Sequence, residues 1–155
     1  MTGWPPLASG SVSLRLYPHD GLGAREIVEV FRQLHFARFP IRKMKPIFTQ
    51  FEYEDFETLD DNSSGFSCRN AVDANSAPHW SNHAYGLAID INPIENPYLN
   101  GGRVLPPLGA AFTDRSNVRP GMAVEGSVIV DAFRSVGWDW GASFQDYQHF
   151  STTGH

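Results

Sequence analysis

Apolar residues recur at three- and four-residue steps over residues 23–36. Ile27, Val30, Phe31 and Leu34 line one side, and Arg25, Glu29 and Arg32 fall on the others. That period predicts an amphipathic helix, which Pro40 is expected to end. A second helix is expected over residues 127–136, with Val128, Ile129, Ala132, Phe133 and Val136 inward and Gly137 closing it. Alternating or aromatic and β-branched stretches at 11–16, 47–53, 66–69, 87–92 and 144–151 read as short strands. In the fourth of these, Leu87, Ile89 and Ile91 point one way and Ala88, Asp90 and Asn92 the other, until Pro93 stops the strand. Asp90 therefore leaves the strand on the face where a polar cleft can lie.

Between these elements, residues 55–65 read as an acidic turn region and 138–142 as the turn before the last strand. Residues 95–126, rich in proline, glycine and asparagine, are a covering loop or hold small elements without clear periodicity. Separated helices and short strands predict an α+β fold, a small antiparallel sheet with flanking helices. Residues 1–10, with Pro5 and Pro6, read as an irregular N-terminal arm, and 11–155 as one compact domain without repeats.

Composition narrows the function classes. A chain of 155 residues can bury a core without covalent staples. With a net charge of −5 and no basic cluster beyond Arg42, Lys43 and Lys45, a nucleic-acid partner is not expected. The single cysteine, Cys68, excludes an internal disulfide and is expected to be a small buried residue rather than a nucleophile. No apolar run reaches membrane-spanning length, and no signal peptide is expected in the first ten residues. Nothing sets the oligomeric state, and a monomer is favoured.

The chemistry concentrates in two stretches. His83 and Asp90 frame a glycine-containing turn, and Asp146 precedes His149 by three residues. Two histidines and one carboxylate are the donor set of a catalytic zinc, which keeps a fourth position open for water. A carboxylate interrupting an apolar strand needs a partner, because burying an unpaired charge is costly. For Asp146 and His149 to share one site, Asp146 must lie in a turn and His149 on the strand that follows it. Taken singly, each of these residues is as well explained as a surface or turn residue.

Their order is more specific. Ser81-x-His83-x-x-Gly86-x-Ala88-x-Asp90, then Asn92-Pro93 and Asn96-Pro97-Tyr98, then Gly137-Trp138-x-Trp140-Gly141 and Asp146-Tyr147-Gln148-His149-Phe150 resemble the zinc D-alanyl-D-alanine carboxypeptidase family, M15. That family includes vancomycin-resistance carboxypeptidases, D-Ala-D-Ala dipeptidases and phage endolysins that cut L-Ala-D-Glu. The resemblance implies a Hedgehog/DD-peptidase-like fold and one zinc per chain on His83, Asp90 and His149. It further implies Asp146 as general base and Arg69 as the group steadying the substrate carbonyl. Ser81 and Tyr85 are its substrate-facing candidates, a turn-forming serine being the plain alternative at the first. The implied substrate is the stem peptide of peptidoglycan, cut at a terminal D-Ala or internally, so the expected place of action is the bacterial cell wall. The rival reading is a non-catalytic zinc-binding module, as in Hedgehog domains. One segment departs from the family: Trp140-Gly141-Ala142-Ser143-Phe144 stands where Trp-Gly-Gly-Asp-Trp is common, which bears on substrate preference.

Overall fold

The computed structural model describes residues 22–45, 61–71 and 78–153. The arm at 1–10, the strands expected at 11–16 and 47–53, and residues 55–60 of the acidic region lie outside the described residues. Helix α1, Leu22–Phe36, buries Ile27, Val30 and Leu34, as its periodicity predicts. It ends four residues before Pro40, because Arg38 turns into the left-handed region at φ 55° and its N–H bonds back to His35. Helix α2, Val128–Ser135, starts after Ser127 and is followed by Gly137 at φ 83°. Val130 is fully buried and Val128 largely exposed, reversing the expectation for Val128.

Three short strands make the central sheet: β1 (Ala88–Asp90), β4 (Asp139–Trp140) and β5 (His149–Ser151), in the antiparallel order β1-β5-β4. Segment 61–65 extends the free side of β1, where Ser64 and Asp90 exchange backbone hydrogen bonds in both directions. The register sets Ile89 opposite Phe150 and Asp90 opposite His149. Because successive side chains alternate faces, Ile89 and Phe150 go to the core, and Asp90 and His149 share the other face. The core beneath joins Phe150, stacked on Phe133 at 4.0 Å between ring centroids, to Ile129, Leu34, Ile91 and Trp138. The Trp138 indole N–H donates to Glu26 of α1 at 2.9 Å.

Four local expectations are corrected. Residues 66–69 form no strand; pairing begins one residue later, at the Asn70–Trp80 bridge. Cys68 in that irregular segment is exposed, not buried. Residues 138–142 are not a simple turn, since β4 and the 3-10 helix Gly141–Phe144 occupy them. The last strand is only the end of 144–151, and the first of its residues closes that 3-10 helix.

Residues 95–126 do hold small elements. Strands β2 (Tyr98–Asn100) and β3 (Arg103–Leu105) form a hairpin, and a 3-10 helix follows at Pro107–Phe112. Arg115 ties this region down. Its guanidinium donates to the carbonyls of Glu95, Phe112 and Ala123 and to the Asn96 side chain, and it lies over the Tyr147 ring. Arg42 reaches the buried Glu95 at 3.2 Å and Asp61 at 3.7 Å.

Candidate active site

His83 sits in the 3-10 helix Asn82–Tyr85, which Ser81 opens by accepting the His83 N–H on its hydroxyl. Gly86 closes that helix at φ 69°, a conformation that favours glycine. The sequence then enters β1 and reaches Asp90. His83 Nδ1 donates to the Gly65 carbonyl at 2.6 Å. That bond leaves Nε2 as the free lone pair and fixes the ring, a common support for a metal-binding histidine. It comes from a backbone atom, so no side-chain pattern announces it.

Donor atoms of three side chains converge. His83 Nε2 lies 3.2 Å from His149 Nδ1 and 3.3 Å from Asp90 Oδ2, and His149 Nδ1 lies 3.1 Å from Asp90 Oδ1. Ligand atoms around a tetrahedral zinc at its usual bond lengths are about 3.4 Å apart. The spacing fits that ion, and paired imidazoles favour a transition metal over magnesium or calcium. The group is the cluster of metal-competent side chains found among the described residues.

Asp146 lies in the turn entering β5, as the spacing requires. Its N–H donates to the Gly141 carbonyl at 3.0 Å, and its carbonyl accepts from His149 N–H at 3.3 Å. Gly141 is there because nothing larger fits: a Cβ would stand 2.6 Å from the Asp146 carbonyl oxygen and 3.2 Å from His149 Cβ. Asp146 Oδ1 and His149 Nε2 are both buried without a hydrogen-bond partner.

The charges follow from this packing. Burial alone would raise the Asp90 carboxyl, but the adjoining imidazoles of His83 and His149 outweigh it and hold it well below its usual value. Asp146 is pushed up to about 7, first by burial and then by the negative charge of Asp90. His149 is raised: burial opposes its charged form, but the hydrogen bond and charge of Asp90 prevail. A cation at the donor set would reverse the push on Asp146.

A cavity of about 700 Å³ opens over these groups. One wall is a ribbon in which Ser81 N–H donates to the Arg69 carbonyl and Ala71 N–H to the His79 carbonyl, so Arg69, His79, Trp80 and Ser81 line the cavity together. Tyr98, Gly141 and Phe144 also line it, and Gln148 and His149 belong to its lining beside Asp146. Arg69 is near enough to act on both Asp146 and His149 electrostatically. Of the residues expected to face substrate, Ser81 reaches the cavity; Tyr85 is not in its lining and is 60% exposed. Trp80, Tyr98 and Gln148 escaped the sequence reading as cavity residues, although each stands within or beside a quoted motif. His35 is an exposed helix residue, and His19 and His155 lie outside the described residues.

No curated protein and no solved structure matches the chain. A family model does: D-alanyl-D-alanine carboxypeptidase, of the M15 peptidases, over residues 74–152, just over half of the chain. The match takes in His83, Asp90, Asp146 and His149 and leaves Arg69 outside. The motif order and the family model agree, and the chain belongs to the D-alanyl-D-alanine carboxypeptidase family of M15 peptidases.

Proposed function

We propose that this protein is a zinc-dependent peptidase acting on the stem peptides of bacterial peptidoglycan. The observation that carries the reading is the convergence of His83 Nε2, Asp90 and His149 Nδ1 at 3.1–3.3 Å, with the buried Asp146 beside them. Zinc held by these three side chains would supply an acidified water near neutral pH and a Lewis acid for the scissile carbonyl. Asp146 takes a proton from the attacking water and delivers it to the leaving amine. The Arg69 guanidinium steadies the negative charge that develops on the carbonyl oxygen, where fixed positive charge contributes most. Gly65 holds the His83 ring in the orientation that keeps Nε2 directed at the site. A module that merely stores zinc would need neither Asp146 nor Arg69 in this cavity, which favours the enzyme over the Hedgehog-like alternative.

The motif resemblance leaves two cuts open, release of a terminal D-Ala or an internal cleavage such as L-Ala-D-Glu. Digestion of purified peptidoglycan by the zinc-loaded protein, with mass spectrometry of the products, decides between them. New peptide termini at one defined bond are the expected result. An unchanged muropeptide profile with stoichiometric zinc present would sink the proposal.

A further inference from the structure

Past Asp90, the hydrogen bonds between β1 and segment 61–65 pass from backbone to side chains. Ser64 and Asp90 still exchange backbone bonds, at 2.9 and 2.8 Å. Asn92 then turns into the left-handed region at φ 46°, and Pro93 brings no N–H. The next two donors go to side chains of the facing segment. The Asn92 N–H donates to Ser63 Oγ and the Ile94 N–H to Asp61 Oδ1, both at 3.0 Å. Ser63 is fully buried and Asp61 nearly so. The other end of the segment meets a candidate zinc ligand twice. The Gly65 carbonyl accepts the His83 Nδ1 proton at 2.6 Å, and the Ser67 N–H donates to the His83 carbonyl at 3.1 Å.

Resting on the zinc reading above, we infer that Ser63 and Asp61 are positioning residues for His83: they fix the register of segment 61–65 against β1 and so bring the Gly65 carbonyl to Nδ1. A slip of one residue would carry that carbonyl about 3.3 Å along the strand, beyond hydrogen-bond reach of the ring. The ring would then turn freely, and Nε2 would no longer be held toward Asp90 and His149. The two side-chain acceptors oppose such a slip, because it would leave the N–H of the fully buried Asn92 without a partner. Attachment of the segment does not depend on them. Asn62 exchanges hydrogen bonds with the Lys45 backbone at 2.7 and 3.1 Å and holds the segment independently. Losing either acceptor therefore loosens the register while the segment stays in place.

The test measures zinc affinity of the full chain by competition with a chelating dye. Ser63→Ala and Asp61→Ala should each raise the zinc Kd about tenfold or more, the usual effect of disturbing a ligand's hydrogen-bonded support. Ser63→Thr and Asp61→Asn keep an acceptor oxygen and should stay within about threefold of the parent protein. Ile27→Ala, in the core and away from the segment, serves as the control for lost stability. It should lower the melting temperature and leave the zinc Kd within about threefold. In the zinc-loaded protein, the His83 Nδ1 proton followed by nitrogen-resolved NMR should exchange with water about tenfold faster in the two alanine variants. Parental Kd and parental exchange in both alanine variants would overturn the inference. So would equal weakening in the conservative variants or in Ile27→Ala, since the cause would then be general destabilisation. A parent protein that binds no stoichiometric zinc would instead remove the zinc reading itself.

Discussion

His83 and His149 bring different nitrogens to the same point, and their remaining nitrogens are treated differently. His83 gives its Nδ1 proton to the Gly65 carbonyl, whereas His149 Nε2 is buried without a partner. Replacing either ring by alanine, or Asp90 by alanine, should remove most of the bound zinc, measured by elemental analysis after equilibration. Asp146→Ala should keep the metal and lose turnover by roughly a hundredfold or more, the scale of a positioned acid–base group. Equal zinc loss in the Asp146 and Asp90 variants would show that Asp146 is a ligand instead. For Arg69, the geometry of the charge matters as well as its sign. Arg69→Lys keeps a cation but not the guanidinium fork. It should depress kcat more than it raises KM, because the interaction strengthens in the transition state. Normal kinetics in both Arg69→Lys and Arg69→Ala would leave the residue without a catalytic part.

At the scale of elements, the site is a product of strand register. Asp90 and His149 are 59 positions apart in sequence and face each other only because β1 and β5 pair as they do. A slip of one residue would send Asp90 into the core and Ile89 into the cavity. Gly141 guards that arrangement from the next connection. Gly141→Ala forces a methyl against the Asp146 backbone, so the turn must move. We expect a loss of about 1–3 kcal/mol in stability, the usual cost of overpacking, and a larger proportional loss of activity than of bound zinc. Denaturant unfolding together with steady-state kinetics would measure both. An alanine variant with parental stability and rate would mean that the turn relaxes freely.

At the scale of the whole molecule, segment 61–65 couples the buried Asp61–Glu95 pair to the site. Asp61 accepts the Ile94 N–H at 3.0 Å and neighbours Glu95 and Arg42, while Ser64 pairs with Asp90 and Gly65 holds His83. Asp61 is pushed up to about 7, by burial first and then by Glu95. A carboxyl raised on folding stabilises the fold fully below its unfolded value, and that contribution is lost as pH rises through the folded value. Stability should therefore fall between about pH 4 and pH 7 on account of this group. Asp61→Asn should flatten that part of the profile and raise the melting temperature at pH 8, by roughly 2–4 °C per kcal/mol recovered. An unchanged pH profile of melting temperature would contradict the assignment.

Much of this was legible in the chain. The helical period of α1 and the placement of Asp90 on the polar face of β1 followed from side-chain alternation, and the turn position of Asp146 followed from its three-residue spacing to His149. Other features depend on contacts that no local pattern records. The Gly65 carbonyl is backbone, the exposure of Cys68 follows from the irregular path of residues 66–69, and Val130 is buried through packing between α1 and α2. Tyr85 is a substrate-facing candidate by resemblance, yet it ends the tight 3-10 turn and stays outside the lining.

The central claim is that one zinc on His83, Asp90 and His149 makes this protein a peptidase. It is tested most directly by titrating chelator-stripped protein with zinc while measuring release of peptide termini from purified peptidoglycan. Turnover should start near zero, rise in proportion to added zinc and level off at one equivalent per chain. Full turnover in the stripped protein, or none at any zinc loading, would contradict it.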